Sequence, residues 1–209
     1  MDTHTTFLKN KFTEVSKLIP NNPKLKILDI GCNNGNIRYL LPPNIEYYGT
    51  DLDKFHIHQL QVQGVKARQA DLNKDPLPFQ LENFDYILLL DVLEHVLNPQ
   101  ELLRQSKQKL NTNGKLIITL PNDYHILNKL RFIFNKHLTE DPFAPFGHLH
   151  IFPIKSGENL LKQSGFRILK KIPIPPVKPQ SIPQSIKDFL GNIMPQTFAR
   201  DVLYLLEPS

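Results

Sequence analysis

Apolar positions along the chain follow two rhythms in turn. Leu8, Phe12, Val15, Leu18 and Ile19 recur at helical spacing, which predicts an opening amphipathic helix stopped by Pro20. Short apolar runs and helical patterns then alternate. Strands are expected at Lys24 to Ile30, Ile45 to Thr50, Val65 to Ala70, Phe84 to Leu90 and Lys115 to Leu120. Between them lie a short helix over Ile37 to Leu41, closed by Pro42 and Pro43, and one from Lys54 to Gln63, ended by Gly64. A further helix opens at Asn98, with Pro99 in its first turn and Glu101 completing a capping box. Leu102, Leu103 and Leu110 give it an apolar face, and Gly114 ends it. Downstream, Ser156 to Ser164 reads as helix, and Phe166 to Ile172 and Asp201 to Glu207 as strands. The prolines crowded between Pro173 and Pro195 exclude a continuous helix or central strand, so that stretch reads as a surface connection. Strand–helix alternation predicts an α/β fold: a mostly parallel, seven-stranded sheet with helices on both faces and ligands bound beyond the strands' carboxyl ends.

A chain of 209 residues, 40% hydrophobic and 22% charged, is long enough for one full core. We read residues 1–209 as a single domain: an N-terminal helix (1–22), a cofactor-binding core (23–120), an insertion (121–153) and a C-terminal part (154–209). No apolar run is long enough to cross a bilayer, the first residues lack a secretory signal, and Cys32 is the single cysteine, so a cytoplasmic setting is expected. The net charge of +5 is spread among acidic residues rather than gathered into a phosphate-gripping block, so nucleic acid is not indicated as a partner.

The first strand runs into Asp29-Ile30-Gly31-Cys32-Asn33-Asn34-Gly35, a tight turn against which a nucleotide-like cofactor can lie close to the backbone. The dinucleotide fingerprint fails here, because Asn33 and Asn36 stand where it needs glycine. Asn can replace Gly at positive φ, so the turn itself survives. Asp51 ends the second strand, where a carboxylate can accept hydrogen bonds from ribose hydroxyls; capping the helix at Lys54 is its other reading.

Asp29-x-Gly31-x-Asn33-x-Gly35, Asp51, Ala70-Asp71-Leu72 and the run from Asn83 to Val96 fall at successive strand ends. In that order they resemble the motifs of class I S-adenosylmethionine-dependent methyltransferases, small-molecule branch, over about Lys24 to Leu120 and again weakly at His148 to Phe152 and Gly165-Phe166. The resemblance implies a Rossmann-like methyltransferase fold and S-adenosylmethionine as cofactor. It places Asp29, Gly31, Cys32, Asn33, Gly35, Asp51 and Leu52 along the cofactor, Asp71 and Leu72 at the adenine, and Leu90 and Asp91 beside the methionine part. Asp85, at the far end of its strand, is structural.

Asp91, Glu94 and His95 resemble the acidic-acidic-His cluster of quinone-biosynthesis O-methyltransferases, but i, i+3, i+4 spacing is common on exposed faces and no metal is assigned. The resemblance also puts Glu94 and His95 at the rim of the substrate cleft; among His95, His148 and His150 the general base is expected to be His148, with His148, His150 and the aromatic stretch Asp141 to Phe146 lining an acceptor pocket. Helical spacing over Tyr124 to His137 predicts a lid that shapes an apolar acceptor site, or alternatively a basic amphipathic helix resting on a membrane surface. The expected activity is O- or C-methylation of a small, lipophilic acceptor by in-line displacement. Methylation of protein or tRNA, and a catalytically silent cofactor-binding module, are the alternatives.

Overall fold

The computed structural model describes residues 3–80, 82–135, 147–177 and 181–209. Seven strands form one sheet: β1 (Lys26–Ile30), β2 (Glu46–Asp51), β3 (Lys66–Gln69), β4 (Phe84–Leu90), β5 (Leu110–Pro121), β6 (Phe166–Ile174) and β7 (Asp201–Pro208), in the order β3-β2-β1-β4-β5-β7-β6. The first five strands are parallel, and β7 inserts antiparallel between β5 and β6. The order reverses between β1 and β4, so a crevice opens beyond their carboxyl ends.

Alternation along the central strands sends residues to two cores. Leu28, Ile30, Ile87, Leu89 and Ile118 pack with Leu102 and Leu103 of α3 (Pro99–Gln108) and Leu160 and Leu161 of α5 (Ile154–Gln163). Ile27, Leu88, Ile117 and Leu203 pack on the opposite face with Phe7 and Val15 of α1 (Thr3–Ser16) and with Ile37. A smaller cluster joins Cys32 to Ile57 and Leu60 of α2 (Lys54–Val62). The central strands are therefore covered on both sides, which is why they read as unbroken apolar runs.

Four local expectations are corrected. The Ile37 to Leu41 helix is a 3-10 turn, Asn36–Leu40. At α3, Asn98 accepts from the Glu101 amide at 3.0 Å, but the Glu101 carboxylate turns to Arg104 and Gln105 instead of completing the box. Gly114 does not end α3; β5 begins at Leu110, and Gly114 sits where an added Cβ would meet the Phe84 and Asn111 carbonyl oxygens at 2.9 Å. The proline-rich stretch holds α6 (Gln184–Ile193) and α7 (Pro195–Phe198), because no proline falls between Pro183 and Pro195. Pro173 is tolerated in β6 because that strand is an edge of the sheet.

Candidate active site

At the end of β1, Gly31 and Cys32 donate their amides to the Thr50 carbonyl at 2.8 and 3.0 Å, which ties the turn to β2. Gly31 has φ +73°, and a Cβ there would lie 2.6 Å from Val92 Cγ2, so only glycine lets the β1 and β4 loops approach this closely. Asn33 takes φ +48°, the positive value expected of it, and its side-chain oxygen accepts from the Asn34 amide at 2.7 Å. Asp51 reaches back across the crevice: one carboxylate oxygen accepts from the Asn33 amide at 2.7 Å and the other from the Asp53 amide at 2.9 Å. It does not cap α2; Asp53 does, accepting from Phe55 and His56. Gly31, Asn33, Asp51 and Asp53 line a cavity of about 690 Å³ together with Leu52, Asp71, Leu72, Asp91, Val92 and His95, a volume in the ordinary range for cofactor clefts.

Not every turn residue reaches that cavity. Asp29 is buried beneath the turn, held by the Tyr47 hydroxyl at 2.5 Å, and burial pushes its pKa up to about 7 against that hydrogen bond. Cys32 packs into the α2 cluster as a buried thiol, Gly35 opens the 3-10 turn with φ +68°, and Leu90 lies in the second core. These four support the loop and sheet from behind. Asp71 is in the cavity wall, and its hydrogen bond with Lys74 holds its carboxyl below the usual range, aided by the Asn73 amide. Asp85 accepts from the Lys26 amide and the Asn111 side chain, the structural role expected of it.

Asp91 marks the boundary to a second cavity. Its backbone adopts φ +57°, uncommon for a residue with a side chain, and it is fixed by two hydrogen bonds with Thr119. Its outer oxygen contacts Lys11, a lysine only 1% exposed that also binds Asp201 at 2.9 Å. Burial alone works against a charged Lys11, yet Asp201 and Asp91 outweigh it and hold its pKa above the ordinary lysine value. Between the two acids, burial opposes ionisation, but Lys11 keeps Asp91 below the usual range while Asp201 is pushed up to about 6. Helix α1 is thereby bolted to the ends of β4 and β7, which none of the sequence motifs signalled.

The second cavity, about 210 Å³, shares Asp91 and His95 with the first and is walled by Lys11, Glu94, Asp123, His148 and Arg200 among others. Its described walls are mostly charged and polar, with Phe7, Leu8 and Pro121 as apolar members. Glu94 is fully buried, and neither carboxyl oxygen has a hydrogen-bond partner among the described residues; burial, then Asp91, raises its pKa well above the carboxylate range. His148 Nε2 lies 4.0 Å from Glu94 and its Nδ1 3.5 Å from Asp123. The segment carrying His148 is zipped onto the end of the β4 loop: His95 Nδ1 contacts the Gly147 carbonyl at 3.2 Å, and the Leu149 and His150 amides donate to the Glu94 carbonyl. His150 turns away, its Nε2 on the Val96 carbonyl at 2.9 Å and its ring against Phe152. Asp141 to Phe146, expected beside this pocket, lies outside the described residues.

The stretch read as a lid forms a shorter helix, α4 (Ile126–Ile133), and the end of the expected one at Lys136 and His137 lies outside the described residues. Its apolar face turns outward, not inward as the lid reading expects. Asn128 is its buried member and faces the charged cavity, while Leu127, Leu130 and Ile133 are exposed.

A family model described as a methyltransferase domain matches residues 4–171. The chain belongs to this methyltransferase family. It is a class I enzyme whose methyl donor is S-adenosylmethionine. An uncharacterised protein of Methanocaldococcus jannaschii is 28% identical over 158 residues, 76% of this chain and 72% of that protein. A ubiquinone biosynthesis O-methyltransferase of Azorhizobium caulinodans is 30% identical over 47% of this chain, which spans only 41% of that enzyme's length. Among solved structures, magnesium protoporphyrin IX methyltransferase from Synechocystis, with bound S-adenosylhomocysteine, shares the fold at TM-score 0.67 and 15% identity, covering 98% of this chain and 84% of that one.

The methyltransferase's larger cavity fits such a cofactor on its own geometry. The loop at Gly31 leaves a cradle that any Cβ would close, and Asp51 is already oriented by two backbone amides. Of the residues named from sequence for the cofactor, Gly31, Asn33, Asp51, Leu52, Asp71, Leu72 and Asp91 share this wall. His95 and His148 meet in the neighbouring cavity, ring centroids 5.1 Å apart. Lys11, Asp123, Arg200 and Asp201 were missed. The charges at 11 and 200–201 fall in segments that the resemblance did not cover, and only the turn-rich Pro-Asn-Asp after β5 hinted at Asp123.

Proposed function

We propose that this methyltransferase methylates a hydroxyl of a small acceptor held in the charged cavity, with His148 as general base. One observation supports this reading above the others: a cavity carrying His148 between Asp123 and Glu94 adjoins the cofactor-sized cavity through Asp91 and His95. S-adenosylmethionine supplies a methyl group on a sulfonium, and its thioether leaves neutral, so nothing in the protein has to protonate it. The chain's work is alignment and removal of one proton. Asp51, Asn33 and Asp71 fix the donor side. His148 takes the acceptor proton at Nε2, and Asp123 beside Nδ1 favours the imidazolium that results. His95 acts as a positioning residue by holding the Gly147 carbonyl. Arg200, laid over the Phe7 ring at 4.4 Å, offers its guanidinium to a polar group of the acceptor.

Charged walls favour an acceptor with a polar or ionised end over a wholly lipophilic one. The reading also takes the chain as one methyltransferase domain, since a single sheet runs from Lys26 to Pro208, acting in the cytoplasm with its one cysteine as a thiol. His148→Ala should lower kcat by roughly 10²- to 10⁴-fold and flatten the acid limb of the pH–rate profile, with the cofactor's Kd unchanged. Unaltered turnover in that variant removes His148 as the base. Ligand-capable atoms of Glu94, His95 and His148 also lie within 4.8 Å of one another and suit a small divalent cation; turnover abolished by a chelator and restored by Mg²⁺ would favour that use of the cluster.

A further inference from the structure

Helix α4 carries its large side chains on the wrong side for packing. From Tyr124 to Phe134, six large apolar residues are exposed: Tyr124, Leu127, Leu130, Phe132 (78%), Ile133 (72%) and Phe134 (69%). The same stretch contains Lys129 and Arg131 and no acidic residue. A second exposed apolar face lies on α6 and the residue after it, at Ile186, Phe189, Ile193 and Met194. The two start from one corner of the fold, because the Asn122 side chain, just before α4, donates to the Pro195 and Ala199 carbonyls of the α7 turn that follows α6. The helix also borders the charged cavity, to which His125 and Asn128 contribute.

We propose that this corner is a docking surface for an anionic lipid bilayer, with α4 lying in the interface plane. On α4, apolar side chains flanked by Lys129 and Arg131 with no acid between them match a surface that is hydrocarbon beneath and negative above, and α6 adds an apolar face that also carries Asp188. A second copy of the chain fits less well, since an isologous contact would gather Lys129 and Arg131 of both copies into one interface. No helix among the described residues is long and apolar enough to cross a membrane, so the contact is peripheral.

Flotation of the full chain with phosphatidylcholine vesicles, with and without phosphatidylglycerol, tests this. Binding to the phosphatidylglycerol vesicles is expected, weakened by salt and by Lys129→Gln/Arg131→Gln. Phe132→Ser/Ile133→Ser should lower the partition roughly tenfold or more while its melting curve matches the native one. No binding to anionic vesicles, equal binding to both compositions, or binding unchanged by the serine pair overturns the proposal. So does a dimer in light scattering that the serine pair dissociates, which would assign the surface to a second copy.

Discussion

Asp29 stands directly under the turn that carries Asn33, and its ionisation is a cost that folding has to bear. Burial raises its pKa to about 7 although the Tyr47 hydroxyl donates to it and favours the charged form. A carboxyl whose folded pKa exceeds its unfolded one keeps its proton on folding, so stability is lost as pH rises from about 4 to about 7. Asp29→Asn does not titrate. Its melting temperature relative to the native protein should therefore climb between pH 5 and pH 8; parallel curves across that range would show that Asp29 ionises freely. Residues of this kind were legible in part. Asn33 and Asp51 follow from turn chemistry and strand-end position, which are local. Lys11 with Asp201, 190 residues apart in sequence, depends on tertiary pairing that no spacing rule encodes.

At the scale of elements, α5 shows how closely helix and sheet are fitted. Gly157 lies inside α5, where its lack of a side chain costs helix propensity, yet a Cβ there would meet Leu120 Cδ1 at 2.7 Å. Gly157→Ala should thus destabilise by about 1–3 kcal/mol in chemical denaturation despite the better helix former; a stabilised variant would mean that α5 shifts freely on β5. The strands and most helices were legible because their periodicity reflects burial. Two elements were less so. The α4 periodicity was legible, but it left two orientations open, a lid turned inward and a helix turned out toward a membrane surface, because amphipathicity alone does not decide between them. In α6, the prolines of the stretch leave a clear eleven-residue gap between Pro183 and Pro195, long enough for a helix.

For the whole molecule, strand–helix alternation was enough to anticipate a seven-stranded, mostly parallel sheet, and the reversal between β1 and β4 located the crevice. What alternation could not supply was the second cavity. It is assembled from α1, the ends of β4, β5 and β7, and the segment at His148, pieces brought together only by the completed fold. Its described walls set Lys11 and Arg200 among Asp91, Asp123 and Asp201, with the Glu94 carboxyl buried beside them.

The central claim is that the ends of β1, β2 and β4 form the S-adenosylmethionine site, with Asp51 as a direct contact. Titration calorimetry with S-adenosylhomocysteine, comparing the native chain with Asp51→Ala at matched circular dichroism, tests it most directly. The account predicts binding by the native chain and at least roughly tenfold weaker binding by the variant, about 1.4 kcal/mol or more. Equal affinities, or no binding by the native chain, would contradict it.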